Sequence, residues 1–266
     1  MAAPMREDGA MKLPPTLVRR SLLGGSAALA AYSLWRAGSA EAEPVAVIPP
    51  GGPWTIELFT SQGCSSCPPS DAHLATISAQ PNLVALSYHV DYWDHIGWKD
   101  PFADRASTER QRGYARRLRQ RSVYTPEMVV EGLGHNPGQT AEPIQSLLAT
   151  SAARAQRRAT PQITLDKDGG VSVALDALDL AGAPAEIAMA LYDRRRETRV
   201  QRGENGGRTL VHANVVRSFR SLGSWDGTSH RVRLPLPRLE AGQGVAVLVQ
   251  EADFGPVLGA NKLERA

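Results

Sequence analysis

Beyond residue 50, continuous apolar runs alternate with segments whose apolar residues recur at helical spacing. Trp54–Phe59 is rich in β-forming residues and predicts a strand. Leu83–Val90 is almost wholly apolar, which is typical of a strand buried on both faces. Between these runs, Ser70–Ala79 places Leu74 and Ile77 at helical spacing. The pattern therefore predicts the order strand, helix, strand.

The following segments continue this alternation. Phe102–Arg121 predicts a helix, Tyr124–Val130 a strand entered through a proline, and Glu142–Arg157 another helix. This order of elements is typical of an α/β domain with at least partly parallel pairing, which we assign to residues 43–157. The many arginines of the first of these helices are expected to form a solvated face rather than an anion site.

Short strands of alternating polarity replace the helices after Thr160-Pro161. We expect them to form an all-β, sandwich-like C-terminal domain at residues 158–266. Gly203–Arg208 resembles a phosphate loop only in its glycine content and predicts a hairpin turn instead. The predicted strands are Ile163–Leu165, Val171–Leu175, Ile187–Tyr192, Thr209–Val216, His230–Leu236 and Val245–Gln250.

Residues 1–42 contain the three parts of an export signal. Arg19-Arg20, which resembles the twin-arginine type, precedes a short apolar run, and small residues at Ala40 and Ala42 offer a cleavage site. The run is about half as long as the ~20 residues that a membrane-spanning helix needs, which favours cleavage over a retained anchor. We therefore expect a periplasmic or secreted protein with no stable membrane span after signal cleavage.

The composition and net charge of the chain limit the classes of molecule that it is expected to bind. The 266-residue chain is 42% hydrophobic and 21% charged, as in soluble globular proteins. Its formal net charge of +3 owes much to the expected signal, which contains five basic and three acidic side chains. Because the mature chain is close to neutral, its charge gives no reason to expect binding to nucleic acid or to an anionic membrane surface.

Cys64 and Cys67 are the two cysteines of the sequence. A disulfide that closes so short a loop restricts the unfolded chain little and therefore stabilises little. Their number excludes a zinc site made of four cysteines. A Cys-x-x-Cys between a strand and a helix suits thiol–disulfide exchange, because helix N–H groups stabilise the attacking thiolate and the second cysteine resolves the mixed disulfide.

Four blocks of sequence carry a family resemblance. They are Glu57–Asp71, which includes both cysteines, His89–Phe102, Tyr124–Pro126 and Gly203–Thr209. Together they resemble an uncharacterised family of secreted bacterial thioredoxin-like proteins, the domain of unknown function 1223. The resemblance spans most of the mature chain and implies a thioredoxin-like fold for residues 43–157. It implies no reaction, because none is established for that family.

The pair Thr125 and Pro126 gains a role from this resemblance. Thioredoxin-like proteins set a cis-proline against the Cys-x-x-Cys, and the residue before it offers backbone hydrogen bonds to the substrate. The alternative is an ordinary trans proline that opens an edge strand. We expect the cis form at Pro126.

Pro68 and Pro69 modify what the motif is expected to do. Proline disfavours α conformation in the residue before it, here Cys67, and suits only the first turn of a helix. We therefore expect the helix to begin near Pro68 or Pro69, with both cysteines in the preceding turn. The helix start then stabilises a Cys64 thiolate less directly than in thioredoxins, so Cys64 is expected to be only modestly more acidic than a free cysteine.

Glu57 is a candidate proton acceptor. Strand alternation sets it opposite Ile56 and Leu58, on a face that we expect to be buried. Thioredoxins hold a buried acid beneath their cysteines, and an acid there can accept a proton during exchange. The alternative is a strand-end glutamate bonded to a neighbouring backbone group or cation.

The segment Asp91–Asp104 is dense in aromatic and acidic side chains. It has three interpretations: a substrate or peptide platform beside the cysteines, a metal site that uses a histidine, or a packed loop. In the packed loop, the acids cap the following helix and pair with its arginines. The platform candidates are Tyr92, Trp93 and Trp98, and the candidate metal ligands are His89 and His95.

The sequence leaves three functions open. The leading hypothesis is an exported thiol–disulfide oxidoreductase acting on protein or small thiols without a cofactor, with Cys64 attacking and Cys67 resolving. The second is a copper-binding thioredoxin-like metallochaperone, in which the two thiolates and His89 or His95 hold Cu(I). The third is a non-catalytic periplasmic binding module whose β-rich region captures a partner.

Overall fold

Three helices and eleven strands occur in the part of the chain that the computed structural model describes, residues 45–154, 158–167, 169–235 and 239–265. The expected export signal lies outside these residues. None of the described helices is long and apolar enough to cross a membrane. The helices are α1 (Pro68–Ser78), α2 (Arg105–Arg117) and α3 (Ala141–Arg154). The strands are β1 (Trp54–Thr60), β2 (Leu83–His89), β3 (Glu127–Val130), β4 (Gly134–Asn136), β5 (Gln162–Leu165), β6 (Val171–Leu175), β7 (Ala185–Arg199), β8 (Thr209–Trp225), β9 (His230–Leu234), β10 (Gln243–Glu251) and β11 (Val257–Glu264).

Eight of the strands form one mixed sheet in the order β11-β10-β7-β8-β2-β1-β3-β4. β1 pairs in parallel with β2, from Trp54 opposite Leu83 to Thr60 opposite His89, and it pairs antiparallel with β3. α1 supplies the crossover that a parallel pair needs. The expected mixed α/β architecture with partly parallel pairing is confirmed.

The expected boundary at residue 158 is wrong, because strands from both sides of it share the large sheet and belong to one compact unit. The cause is the position of β8, which pairs with β7 and also with β2, where Ser87 lies opposite Val215. Asn214 on β8 donates from Nδ2 to the carbonyl of Ala85 at 2.8 Å. The β-rich region therefore extends the first sheet instead of folding apart from it.

A second sheet, in the order β5-β6-β9, accompanies the C-terminal strands. Val171 and Val173 of β6 share one core with Ile187 of β7 and Val247 of β10. The two sheets of this region thus share a core, and one of them is continuous with the α/β half.

Helices cover both faces of β1, all of whose residues are buried. Ile56 and Leu58 share a core with Leu74 of α1. On the other face, Phe59 packs edge-on against Tyr114 of α2, with ring centroids 6.1 Å apart. The end of β1, where the cysteine motif follows, is thereby held between helices.

The strands of the large hairpin, β7 and β8, run further than the sequence predicts. The apolar alternation of β7 ends near Tyr192, but backbone pairing with β8 continues to Arg199, opposite Thr209. These outer residues are largely exposed, so no hydrophobic pattern marks them as a strand. The hairpin turn expected at Gly203–Arg208 is confirmed, and the length of the strands carries that turn far from the hairpin's base.

Candidate functional site

The motif Cys64-Ser65-Ser66-Cys67 lies between β1 and α1, where the cysteines form a disulfide with Cα atoms 5.5 Å apart. Cys64 and Cys67 are buried, with 1% and 0% of their surface exposed. Ser65 and Ser66 are exposed. The predicted pair is therefore brought together, and the serine edge of the turn faces solvent.

The start of α1 shapes the surroundings of Cys64. Cys67 is the N-cap and two prolines occupy the first helical positions, as predicted. The expectation that Pro68 keeps Cys67 out of α conformation is wrong, since Cys67 has φ −75° and ψ −36°. Its carbonyl accepts from the N–H groups of Ser70 and Asp71 at 3.0 and 3.1 Å, which offsets the steric preference. Because proline has no N–H, this described helix start leaves no free N–H for Cys64.

Asn205, at the turn of the β7–β8 hairpin, is a site residue that sequence reasoning missed. It is fully buried and donates from Nδ2 to the carbonyls of Gln62 and Cys64, at 3.0 and 2.9 Å. Its Oδ1 accepts from Arg208 at 2.8 Å. The only signal in the sequence is the Gly203–Thr209 block, whose contact lies about 140 residues away along the chain. We call residues 203–208 the hairpin tip.

Glu204, beside Asn205, places a negative charge at the motif. Its Oε2 accepts from the N–H of Ser65 at 3.2 Å. The sulfur of Cys64 has a neutral neighbour in Ser66, whose Oγ lies 3.4 Å away. A carboxylate beside Cys64 disfavours the thiolate form of the reduced site. The weak activation of Cys64 stays a prediction.

Trp93 joins the two halves of the predicted site. Its Nε1 donates to Oγ1 of Thr125 at 2.8 Å, and the Thr125–Pro126 peptide is cis, as expected. A Cβ placed on Gly63, the residue before Cys64, would lie 3.1 Å from Cβ of Trp93. Trp93 therefore contacts the residue before the motif and the residue before the cis-proline.

Trp98 also belongs to the site. Its Nε1 donates to Oε1 of Gln62 at 3.0 Å. Gly203 of the hairpin tip has φ 77°, and a Cβ there would lie 3.2 Å from Cβ of Trp98, so both conformation and contact require glycine. Trp98 thus connects the motif to the hairpin tip. It and Trp93 are half-buried.

Tyr92, the third platform candidate, contacts α2 rather than the motif. Its hydroxyl donates to Oε1 of Gln111 at 3.1 Å, and burial raises the pKa of Tyr92 to about 12. The packed-loop interpretation also has support, because the carboxylate of Asp104 caps α2 by accepting from the N–H of Ala106 at 3.0 Å.

Glu57 is buried as expected, but its partners are those of the alternative interpretation. Arg110 donates from Nη2 to its Oε1 at 2.8 Å, and the hydroxyl of Tyr114 donates to the same oxygen. Arg110 is itself only 7% exposed, which makes it the exception on α2, because the other arginines of this helix are exposed as expected. A buried carboxylate draws this arginine inward, because burial is tolerated only when the charges are paired.

His89, the candidate copper ligand, pairs with a carboxylate. Its Nδ1 lies 2.7 Å from Oδ2 of Asp100, and both side chains are fully buried. His95 is exposed. Within the described residues, no group of three histidine, cysteine, aspartate or glutamate side chains is placed to hold a metal ion. The copper hypothesis therefore has no geometric support.

The site residues fall within a known sequence family. The family model described as "Protein of unknown function (DUF1223)" matches residues 55–250, which include the disulfide, the cis peptide and the hairpin tip. The chain belongs to this family. The family expected from the sequence blocks is thus confirmed.

This DUF1223 chain also resembles a solved structure. It is 30% identical to a protein from Agrobacterium tumefaciens whose crystal structure superposes with a TM-score of 0.70, covering 82% of this chain and 96% of that one. A search of curated proteins finds no match.

Proposed function

We propose that this chain is an exported thiol–disulfide oxidoreductase with a thioredoxin-like α/β half. The observation that carries the proposal is the position of the disulfide, in the turn between the parallel-paired β1 and the helix α1. The cis peptide before Pro126 adds support, because Pro126 leads into β3, which pairs with β1. The export signal expected at residues 1–42 would place the pair in an oxidising compartment.

The proposed reaction is exchange in two steps. A Cys64 thiolate attacks a substrate disulfide, forms a mixed disulfide and displaces one substrate thiolate. Cys67 then loses its proton and attacks the sulfur of Cys64, so the second substrate thiolate leaves. The substrate gains two electrons and two protons, and the two cysteines lose them. Cys64 is 1% exposed, and Asn205 of the hairpin tip donates to its carbonyl at 2.9 Å, so the proposal includes movement of the tip to admit the substrate.

Cys67→Ser is expected to trap the first step. With glutathione disulfide, this variant should accumulate a stable glutathione adduct on Cys64, because the resolving thiol is gone. Mass spectrometry of the folded protein measures the adduct. Cys64→Ser is the matched control and should stay unmodified. A folded wild-type chain that exchanges neither with glutathione disulfide nor with dithiothreitol would reject the proposed function.

Glu204→Gln is expected to make Cys64 more reactive. Removing a charge at the motif should lower the pKa of the reduced Cys64 thiol and speed its alkylation by iodoacetamide about two- to fivefold at neutral pH, as for other charges at helix starts. Glu197→Gln is the control, since Glu197 is an exposed hairpin glutamate paired with Arg195. Equal rates in wild type and both variants would show that Glu204 does not act on Cys64.

A further inference from the structure

Four buried titratable side chains form a continuous group beside the cysteine motif. They come from the end of β2, the following loop, β8 and α1, and none is more than 4% exposed. His89 pairs with Asp100 at 2.7 Å, the His89 and His212 rings meet edge to face with centroids 4.6 Å apart, and Nδ1 of His212 lies 3.5 Å from Oδ1 of Asp71. Two acid–imidazole pairs are thus packed ring against ring.

Both ends of this group reach the motif. Oδ2 of Asp100 accepts from the N–H of Gln62 at 2.8 Å, two residues before Cys64. Asp71 lies four positions after Cys67, and its N–H bonds to the carbonyl of Cys67. Side chains four positions apart share one side of a helix, with Cβ atoms about 5–6 Å apart. Asp71 is therefore the acidic side chain of α1 that lies one turn after Cys67, the N-cap of the helix.

The Asp71–His212 end has unused hydrogen-bonding capacity. Both carboxylate oxygens of Asp71 and both ring nitrogens of His212 are buried without a hydrogen-bond partner among the described residues. Buried polar atoms are almost always paired, so such a cluster needs a reason, and proton transfer is a recognised one. Glu57, the acid first considered for this role, has its carboxylate engaged by Arg110 and Tyr114.

The charges within and around this group shift the pKa values of His212 and Asp100. Burial lowers the pKa of His212, but the carboxylates of Asp71 and Asp100 outweigh it and raise that pKa above its ordinary value. Burial raises the pKa of Asp100, but its partner His89 and the N–H groups of Gln62 and Phe102 outweigh burial and lower that pKa below its ordinary value. The guanidinium carbon of Arg217 on β8 lies 5.2 Å from the ring centre of Phe102, and that ring packs edge-on against His89 and His212. His212 thus faces carboxylates on two sides.

We infer that the Asp71–His212 pair is the proton acceptor for Cys67 in the resolving step of the proposed exchange reaction. The thiol proton of Cys67 passes to a carboxylate oxygen of Asp71, and the thiolate attacks the sulfur of Cys64. The bond between Cys64 and the substrate sulfur breaks, and the departing substrate thiolate takes up a proton. His212 holds the Asp71 carboxylate in place, and the His89–Asp100 pair holds His212.

The test separates the two steps within one reaction. The reduced chain is mixed with dithiobis-nitrobenzoate, which releases one coloured thiolate on attack by Cys64 and a second on resolution by Cys67. For Asp71→Asn we expect an unchanged first phase and a second phase slowed about a hundredfold at neutral pH, as for loss of a general base. The slowed phase should recover as pH rises towards the ordinary thiol range, because Cys67 then ionises unaided.

The controls keep the outcome decisive. Glu131→Gln removes another buried carboxylate, paired with Arg158 and hydrogen-bonded to Thr55 at the start of β1, and should leave the second phase unchanged. If Asp71→Asn fails to fold, His212→Gln should still slow the second phase and shift its pH profile upward. Two unaltered phases in these variants would overturn the inference but not the proposed function. No coloured thiolate from wild type would instead reject the proposed function.

Discussion

Replacing Arg110 with methionine should lower the free energy of unfolding by about 3–5 kcal/mol, the range for removing one member of a buried ion pair. Arg110 is 7% exposed and donates to Glu57, to Tyr114 at 2.9 Å and to Gln250 at 3.1 Å. Its guanidinium lies 4.3 Å from the ring centre of Phe219. Without it, the Glu57 carboxylate stays buried with one hydroxyl donor. Strands β1, β8 and β10, which carry Glu57, Phe219 and Gln250, lose their common partner.

A second variant distinguishes lost charge pairing from lost packing. Glu57→Gln combined with Arg110→Met leaves no uncompensated charge, so the double variant should cost less than Arg110→Met alone. Arg112→Met is the matched control on the same helix, because Arg112 is half-exposed and pairs with Glu109 at the surface. Urea unfolding measures all three. Similar losses for Arg110→Met and Arg112→Met would contradict a structural role for the buried pair.

What the sequence predicts well is local. The apolar run at Leu83–Val90 predicts a buried strand because both of its faces are covered, and β2 is buried throughout. The two prolines predict where α1 begins, since proline has no N–H to lose in a first helical turn. The cis peptide before Pro126 is predicted from the resemblance to thioredoxin-like proteins, which set a cis-proline opposite the cysteine motif. Each of these depends on neighbouring residues or on one recognisable block.

What the sequence does not predict is pairing across long separations. Arg110 is one arginine among many on its helix, and only the buried carboxylate of Glu57 on β1 selects it. The approach of His212 to His89 requires β8 to lie beside β2, and the half-exposed or exposed residues from Arg217 to Ser224 hide how far β8 extends. Neither contact leaves a local pattern in a single sequence from which it could be predicted. Sheet order decides them, and burial of charge then fixes the partners.

Asn205→Asp should show how much the hydrogen-bond donor of Asn205 contributes to stability, because the substitution keeps the shape of the side chain. Asn205 donates to two carbonyls of the motif loop, at Gln62 and Cys64. An aspartate has nearly the same shape but no donor, so it sets a carboxylate against two carbonyl oxygens. We expect a loss of about 2–4 kcal/mol in the free energy of unfolding, more than for Asn205→Ala, whose carbonyls are merely left unpaired at about 1–3 kcal/mol.

The proposed movement of the hairpin tip predicts that stability and reactivity change together. Opening of the hairpin tip exposes Cys64, and each 1.4 kcal/mol of lost contact energy favours the open form about tenfold. Reduction by dithiothreitol should therefore be about tenfold faster in Asn205→Ala and faster again in Asn205→Asp. Thr209→Ala, an exposed change on β8 directly after the hairpin tip, should alter neither property. A destabilised Asn205→Asp chain whose disulfide is reduced at the wild-type rate would show that substrate reaches Cys64 by the serine edge instead.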